Sequence, residues 1–238
     1  MSKKSKAIKL MAIGLAACAL ITVQTSASQG VVGNPKQATV SKKLLWKQEF
    51  TGKSGTKPNS KIFNYDLGGG GWGNNEQQYY TNKAANISTD GKGSLVIKAI
   101  KLIADDPKTS YITNWCIDCV YSSARIMTKD KIGFKYGSMS ARMWVPEGVG
   151  MWPAFWMLGA NLPQVGWPAS GEIDVMEIVG EKPHQVLSSI HFGSTYPKRS
   201  LITHVHDLPG DGTVADWHVY AVEWEPGKIR FYVDGLLV

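Results

Sequence analysis

Cysteine is scarce: three residues in 238, at positions 18, 116 and 119. Cys18 lies in the N-terminal leader, so Cys116 and Cys119 stand alone in the body of the chain. Without a second pair, Cys-x-x-Cys is at most half a zinc site, and no βαβ pattern of the redox type surrounds it. In an exported chain a local loop disulfide is the better expectation, with no chemical role. Long apolar runs are missing too. The run over residues 10–23 has 14 members, against the roughly 20 that a membrane-spanning helix needs. No basic run occurs beyond the leader, which argues against nucleic acid as a partner. The glycine-rich stretch 67–73 has no Lys-Ser/Thr element after it, so it is not a phosphate loop. No long amphipathic helix, internal repeat or second domain is apparent.

What is present begins with a leader. Lys3, Lys4, Lys6 and Lys9 precede the apolar run, and Thr25, Ser26, Ala27 and Ser28 supply small residues for cleavage. Residues 1–27 therefore read as a signal peptide, and the protein as secreted, extracellular or periplasmic. Leu15-Ala16-Ala17-Cys18 leaves a second option open, a lipid anchor on Cys18, although the apolar run continues past it. Setting the four leader lysines aside takes 26 basic residues to 22 against 19 acidic ones, so the formal +7 becomes +3. Residues 28–43 are polar and read as a flexible lead-in. A hydrophobic content of 43% with nine Trp, 25 Gly and 11 Pro suits one globular all-β domain with many turns. A monomer is expected.

The chain is organised around Gly171-Glu172-Ile173-Asp174-Val175-Met176-Glu177-Ile178. Three carboxylates enter a run that otherwise reads as a buried strand, and charges seldom do so unless paired or working. Alternation points Glu172 and Asp174 the same way. Glu177 would face the other side unless one extra residue, a β-bulge at Val175-Met176, turned it back, and a bulge is predicted there. Two glutamates on one face of a groove are the equipment of a glycosidase. Across such a bulge they lie on the order of 13 Å apart at Cα. Long side chains leaning inward close most of that gap, which permits the ~5–5.5 Å separation of a retaining enzyme without proving it. Asp174, between them, can share a proton with Glu172.

This stretch resembles the bulged Glu-x-Asp-x-x-Glu signature of glycoside hydrolase family 16, in particular its bacterial laminarinases, endo-acting β-1,3-glucanases. The resemblance implies Glu172 as nucleophile, Asp174 as assisting residue and Glu177 as acid/base. It covers residues 44–238 and implies a concanavalin-like jelly roll of two curved antiparallel sheets. It also implies β-glucan as substrate, with mixed-linkage glucan a further option, and no organic cofactor. Gly150-Met151-Trp152-Pro153-Ala154-Phe155-Trp156-Met157-Leu158 resembles the family's Trp-Pro-Ala-Phe-Trp-Met-Leu strand. Trp152 and Trp156 share a face there, as sugar-stacking surfaces or as core. Trp167-Pro168 precedes the acids as in many relatives and suits a groove wall. Asn74-Asn75-Glu76-Gln77-Gln78-Tyr79-Tyr80 is similar to a groove-lining family segment. There Asn75 either hydrogen-bonds a sugar hydroxyl or simply belongs to a polar turn.

Other segments follow the same pattern. Arg142, in the strand expected over 134–145, is kept where the family reads Ala-Arg, as a substrate contact or a structural ion-pair partner. Ser138, Met139 and Ser140 replace the family's Arg, Phe and Glu. His191 matches a family histidine and either bonds the acid/base or a sugar, or is structural. His204-x-His206 offers only two metal ligands, with no third that can be argued. The family's opening Trp-x-x-Glu-Phe matches Trp46 to Phe50, within a strand expected over 44–50. In the family the glutamate, here Glu49, often helps hold a structural calcium, but Gln48 stands where Asp is common. Strands are also expected over 94–100, 121–128, 187–193, 217–224 and 228–233. Asp234-Gly235 signals a hairpin. Family members continue for several strands beyond residue 238, so the sequence reads as a domain cut short at its C-terminus. The runner-up readings are a glucan-binding lectin-like module without catalysis and a relative acting on agar or carrageenan.

Overall fold

The structure is a computed structural model that describes residues 43–103, 112, 116, 118–194 and 198–238. The expected leader and all but the last residue of the expected lead-in lie outside the described residues.

The described chain is almost entirely strand and turn. In order, the strands are β1 (Asn64–Asp66), β2 (Gln78–Tyr80), β3 (Ile87–Thr89), β4 (Leu95–Ile97), β5 (Ile100–Lys101), β6 (Tyr121–Ser123), β7 (Arg125–Met127) and β8 (Gly137–Met143). They continue as β9 (Ala154–Leu158), β10 (Glu172–Glu177), β11 (Gln185–Gly193), β12 (Arg199–Asp207), β13 (His218–Glu225), β14 (Lys228–Val233) and β15 (Leu236–Leu237). One helical turn, Leu162–Val165, sits between β9 and β10. Two four-stranded antiparallel sheets dominate, ordered β12-β11-β10-β9 and β15-β14-β13-β8. Alternation explains why they pack together. Val175, Met176, Ile178 and Val186 from the first sheet meet Tyr220, Val222 and Val233 from the second in one buried cluster. Met139, Met143, Phe231 and Ile229 close its margin. The fold is thus an all-β jelly-roll sandwich, and β10 runs through its middle with one face in the core and one face outward.

Several local expectations are corrected. Residues 44–50 form no strand: Phe50 makes a single bridge to Gly93, while Leu44 and Leu45 remain more than two-thirds exposed. Among the described residues only that one bridge pairs with the segment, so strand propensity alone does not hold it extended in a sheet. The segment 94–100 divides into β4 and β5, and 121–128 into β6 and β7. The strand expected over 134–145 is shorter, as β8. One pair departs from antiparallel order: β2 and β6 run parallel, Tyr79 opposite Ser122. Parallel neighbours need a long connection, and here it contains β3, β4 and β5. The Cys116–Cys119 disulfide forms, as expected. It presses on Gly69, where a Cβ would lie 2.5 and 2.6 Å from the two sulfurs, so no larger residue fits beneath it.

The β14–β15 hairpin turns through Asp234 and Gly235, both with positive φ (51° and 80°), the backbone that Asp-Gly favours in a tight hairpin. Asp234 also ties down the start of β13. One carboxylate oxygen accepts the Val219 N–H at 2.8 Å and the other lies 2.7 Å from His218 Nδ1, whose Nε2 reaches the Thr213 carbonyl at 3.0 Å. Burial alone lowers His218, but the Asp234 and Thr213 hydrogen bonds and nearby acids raise it overall. Burial likewise raises Asp234, but His218 and the Val219 N–H lower it overall. The raised histidine stabilises the fold below about pH 6.5 and loses that contribution as pH rises through its folded value. The depressed aspartate stabilises it above roughly pH 4 and loses that as pH falls. Asp234→Asn is therefore expected to destabilise by about 0.5–1 kcal/mol between those limits, and by less on either side. Urea midpoints across pH 3 to 9 read this directly, and a pH-independent loss would refute it.

Candidate active site

The register of β10 decides where its acids point. Against β9, Asp174 pairs with Trp156 and Met176 with Phe155, leaving Val175 as the extra residue. Against β11, the register also shifts between Asp174 and Glu177. Val175 and Met176 are adjacent, yet both are buried in the core cluster, which a regular strand does not allow. This bulge returns Glu177 to the face of Glu172 and Asp174. Glu172 stands opposite His191, and Asp174 opposite Ser189.

The three acids have unequal surroundings. Asp174 is the deepest, its side chain 3% exposed. Burial, then the charges of Glu172 and Glu177 and a hydrogen bond with Glu172, push its pKa up to about 8. Burial and the two neighbouring glutamates thus favour the protonated form of Asp174 beside Glu172. Glu177 is raised by burial and, less strongly, by the charge of Glu172, against hydrogen bonds from Trp152 and Ser189. A carboxyl lifted by burial is suited to carry a proton near neutrality.

Two indoles reach the glutamates. Trp167 Nε1 donates to Glu172 Oε2 at 2.6 Å, and Trp152 Nε1 donates to Glu177 Oε1 at 3.2 Å. Trp167 also leans on the His191 ring, centroids 5.6 Å apart, and the Arg199 guanidinium lies 5.4 Å from its own ring centre. His191 Nε2 stands 3.3 Å from Asp174 Oδ2. Trp156 lies beside Asp174 on β9, so Glu172, Asp174, Glu177, Trp152, Trp156, Trp167 and His191 come together.

Two expected binding residues do not join them. Arg142 is corrected: it lies on β8, in the other sheet, opposite Val219 of β13. It alternates with the core-packed Met139 and Met143 and so faces away from the sandwich interior, its guanidinium 4.3 Å from the centre of the Trp217 ring. Asn75 lines a separate cavity of about 750 Å³ with Gly68 to Gly71, Glu76, Tyr79 and the disulfide. The expected groove also gains a residue. Arg125 donates to Asp66 Oδ2 at 2.6 Å and lies 4.0, 4.9 and 5.7 Å from the ring centres of Trp72, Tyr80 and Trp156. It links the glycine-rich loop to the acid sheet. Its sequence neighbours read only as an ordinary strand, and nothing in them announces three aromatic partners distant along the chain.

The connection that carries Trp167 is tightly seated. Gly159 N–H donates to the Gly171 carbonyl at 3.1 Å, and a Cβ on Gly159 would lie 2.0 Å from the Ser170 oxygen. Gly159→Ala must open this connection. It is expected to cost about 3 kcal/mol or more and to weaken the Trp167–Glu172 contact, as read by denaturant midpoint and tryptophan fluorescence. An unchanged midpoint would contradict it.

Residues 72–238 match the sequence pattern of the glycosyl hydrolases of family 16. The chain belongs to that family. A glucan endo-1,3-beta-glucosidase A1 from Niallia circulans is 38% identical over 217 residues, covering 86% of this chain and 30% of that protein. A beta-glucanase from Rhodothermus marinus is 36% identical over 202 residues, covering 82% of this chain and 63% of that protein. The chain thus spans about a third to two thirds of these relatives. The laminarinase catalytic domain of Thermotoga maritima superposes with a TM-score of 0.69 at 35% identity, covering 82% of this chain and 75% of that one.

Calcium, which the family resemblance makes an option through Glu49, finds no cluster of acidic or imidazole side chains at that residue among the described residues. Glu49 is well exposed and pairs with Lys47 at 2.8 Å. A hard cation takes several converging oxygens.

Proposed function

We propose that this protein is a retaining, endo-acting β-glucan hydrolase that cuts β-1,3-glucan of the laminarin type and, secondarily, mixed-linkage β-glucan. The bulge carries this reading. By turning Glu177 onto the face of Glu172 and Asp174, it supplies two glutamates with different neighbours on one surface. The printed activities of the relatives support the substrate class.

In the first step Glu177, protonated, gives its proton to the glycosidic oxygen while the Glu172 carboxylate attacks the anomeric carbon. The bond to the leaving sugar breaks and a glycosyl ester forms on Glu172. In the second, Glu177, now a carboxylate, takes a proton from water, whose oxygen displaces Glu172. Asp174 keeps its proton and donates it as a hydrogen bond to Glu172, and Trp167 fixes the same carboxylate from the other side. Trp156 and Arg125 offer a stacking surface beside the acids. Export fits the leader, with cleavage near Ala27 or lipidation at Cys18 as the two routes.

Reducing-end release from laminarin, lichenan and agarose tests the proposal, with Glu172→Gln alongside. Laminarin cleavage that the substitution abolishes supports it. Retention on insoluble β-1,3-glucan with no cleavage supports a binding module instead, and cleavage of agarose alone supports a galactan-acting enzyme.

A further inference from the structure

We propose that Glu172, Asp174 and His191 form a binding site for a divalent transition metal ion of the Zn²⁺ type, and that the bound ion blocks the acid face. The ligand atoms of these three side chains all lie within 4.8 Å of one another. The backbone builds this closeness. Glu172 and Asp174 are two residues apart on one face of β10, and His191 is the direct cross-strand partner of Glu172 on β11. Two carboxylate oxygens and one imidazole nitrogen are the three-ligand set that zinc accepts at about 2.0–2.2 Å, with a fourth position left for water.

A second observation points to a cation. Asp174 is almost wholly buried, yet its Oδ2 receives no hydrogen bond among the described residues. The atom near it is His191 Nε2, at 3.3 Å. A buried carboxyl oxygen left without a donor is costly, and an ion between Asp174, Glu172 and His191, taking the place of the proton that Asp174 otherwise shares with Glu172, removes that cost. The imidazole favours a transition metal over Ca²⁺ or Mg²⁺, which prefer oxygen alone. The other imidazole pair, His204 and His206, stacks at 5.8 Å on β12, but among the described residues no third ligand joins it. An ion on Glu172 occupies the oxygen that would attack substrate. The blocking half of the inference rests on the hydrolytic reading, whereas the binding half does not.

Co²⁺ is the probe, since its visible absorption reports nitrogen and oxygen ligation without any turnover. The expected result is one Co²⁺ per chain, displaced by Zn²⁺. The band should be lost in His191→Ala and in the near-isosteric Asp174→Asn, and kept in the His204→Ala/His206→Ala double variant. Absence of a Co²⁺ band in the wild-type protein overturns the site. So does a band that survives both His191→Ala and Asp174→Asn, or one lost only in the double variant. In the activity arm, Zn²⁺ should inhibit laminarin cleavage competitively, with the inhibition constant rising at least about tenfold in His191→Ala. A wild-type protein that binds Co²⁺ but cleaves nothing would refute the hydrolytic reading and leave the metal site standing.

Discussion

Glu172→Ala is expected to lower laminarin turnover by on the order of 10⁴-fold or more, and added azide is expected to restore product as an α-glycosyl azide. The argument starts from the removed atoms. Alanine deletes the carboxylate that receives the Trp167 N–H at 2.6 Å and the Asp174 hydrogen bond, and leaves a small void on the outer face of β10. Glu177 still stands on that face with its proton, so the leaving group can still be protonated, but nothing attacks the anomeric carbon. Azide is small enough to enter the space and attacks from the side the carboxylate occupied. One displacement then inverts the centre, whereas the wild-type pair of displacements retains it. The outcome that counts against Glu172 as nucleophile is azide having no effect, or giving the retained β-azide. The core should be little disturbed, because Glu172 points away from Ile173, Val175 and Met176, so an unchanged denaturation midpoint separates lost chemistry from lost fold.

The acids were legible in the chain because their arrangement is local. Alternation placed Glu172 and Asp174 together, and one extra residue was enough to bring Glu177 round. Val175 and Met176, consecutive and both buried, are the structural form of that extra residue. The indoles were legible only in part. Trp152 and Trp167 could be assigned to the neighbourhood, but which carboxylate each reaches depends on how the connections fold back, and the backbone near Trp167 is set by the contact of Gly159 with Ser170 and Gly171. Arg142 shows a different limit. Its alternation against Met139 and Met143 is visible in the sequence, but which sheet β8 joins depends on pairing with β13, some eighty residues on. A local pattern carries no such information. Arg125 was overlooked for the same reason: its aromatic partners come from the glycine-rich loop, β2 and β9. Residues 44–50 differ in the opposite direction, since they have the composition of a strand but, among the described residues, pair only through the single Phe50–Gly93 bridge.

Glu177→Gln is expected to lower cleavage of laminarin by on the order of 10²–10⁴-fold, and to leave the first step on an aryl β-glucoside with a good leaving group far less affected. Glutamine keeps an oxygen that can accept the Trp152 N–H, now at 3.2 Å, so packing and orientation survive while the proton is lost. A sugar leaving group needs that proton, but a nitrophenolate does not. The second step then becomes slow for every substrate, because water has lost its base, and a burst of phenolate should precede the steady state. Azide, which needs no base, should accelerate this step and give the β-azide, the opposite anomer to that from Glu172→Ala. The pH profile supplies the sign. Burial raises the Glu177 pKa above its ordinary value, and a general acid works while protonated. Wild-type kcat/KM for laminarin should therefore hold below that pKa and fall as pH rises through it. In Glu177→Gln that alkaline limb should disappear, because no proton remains to be lost. A limb that persists unchanged would assign the acid to another group, with Asp174, pushed up to about 8, the next to test. Opposite azide anomers from the two glutamate variants would give each residue its own step in the double displacement.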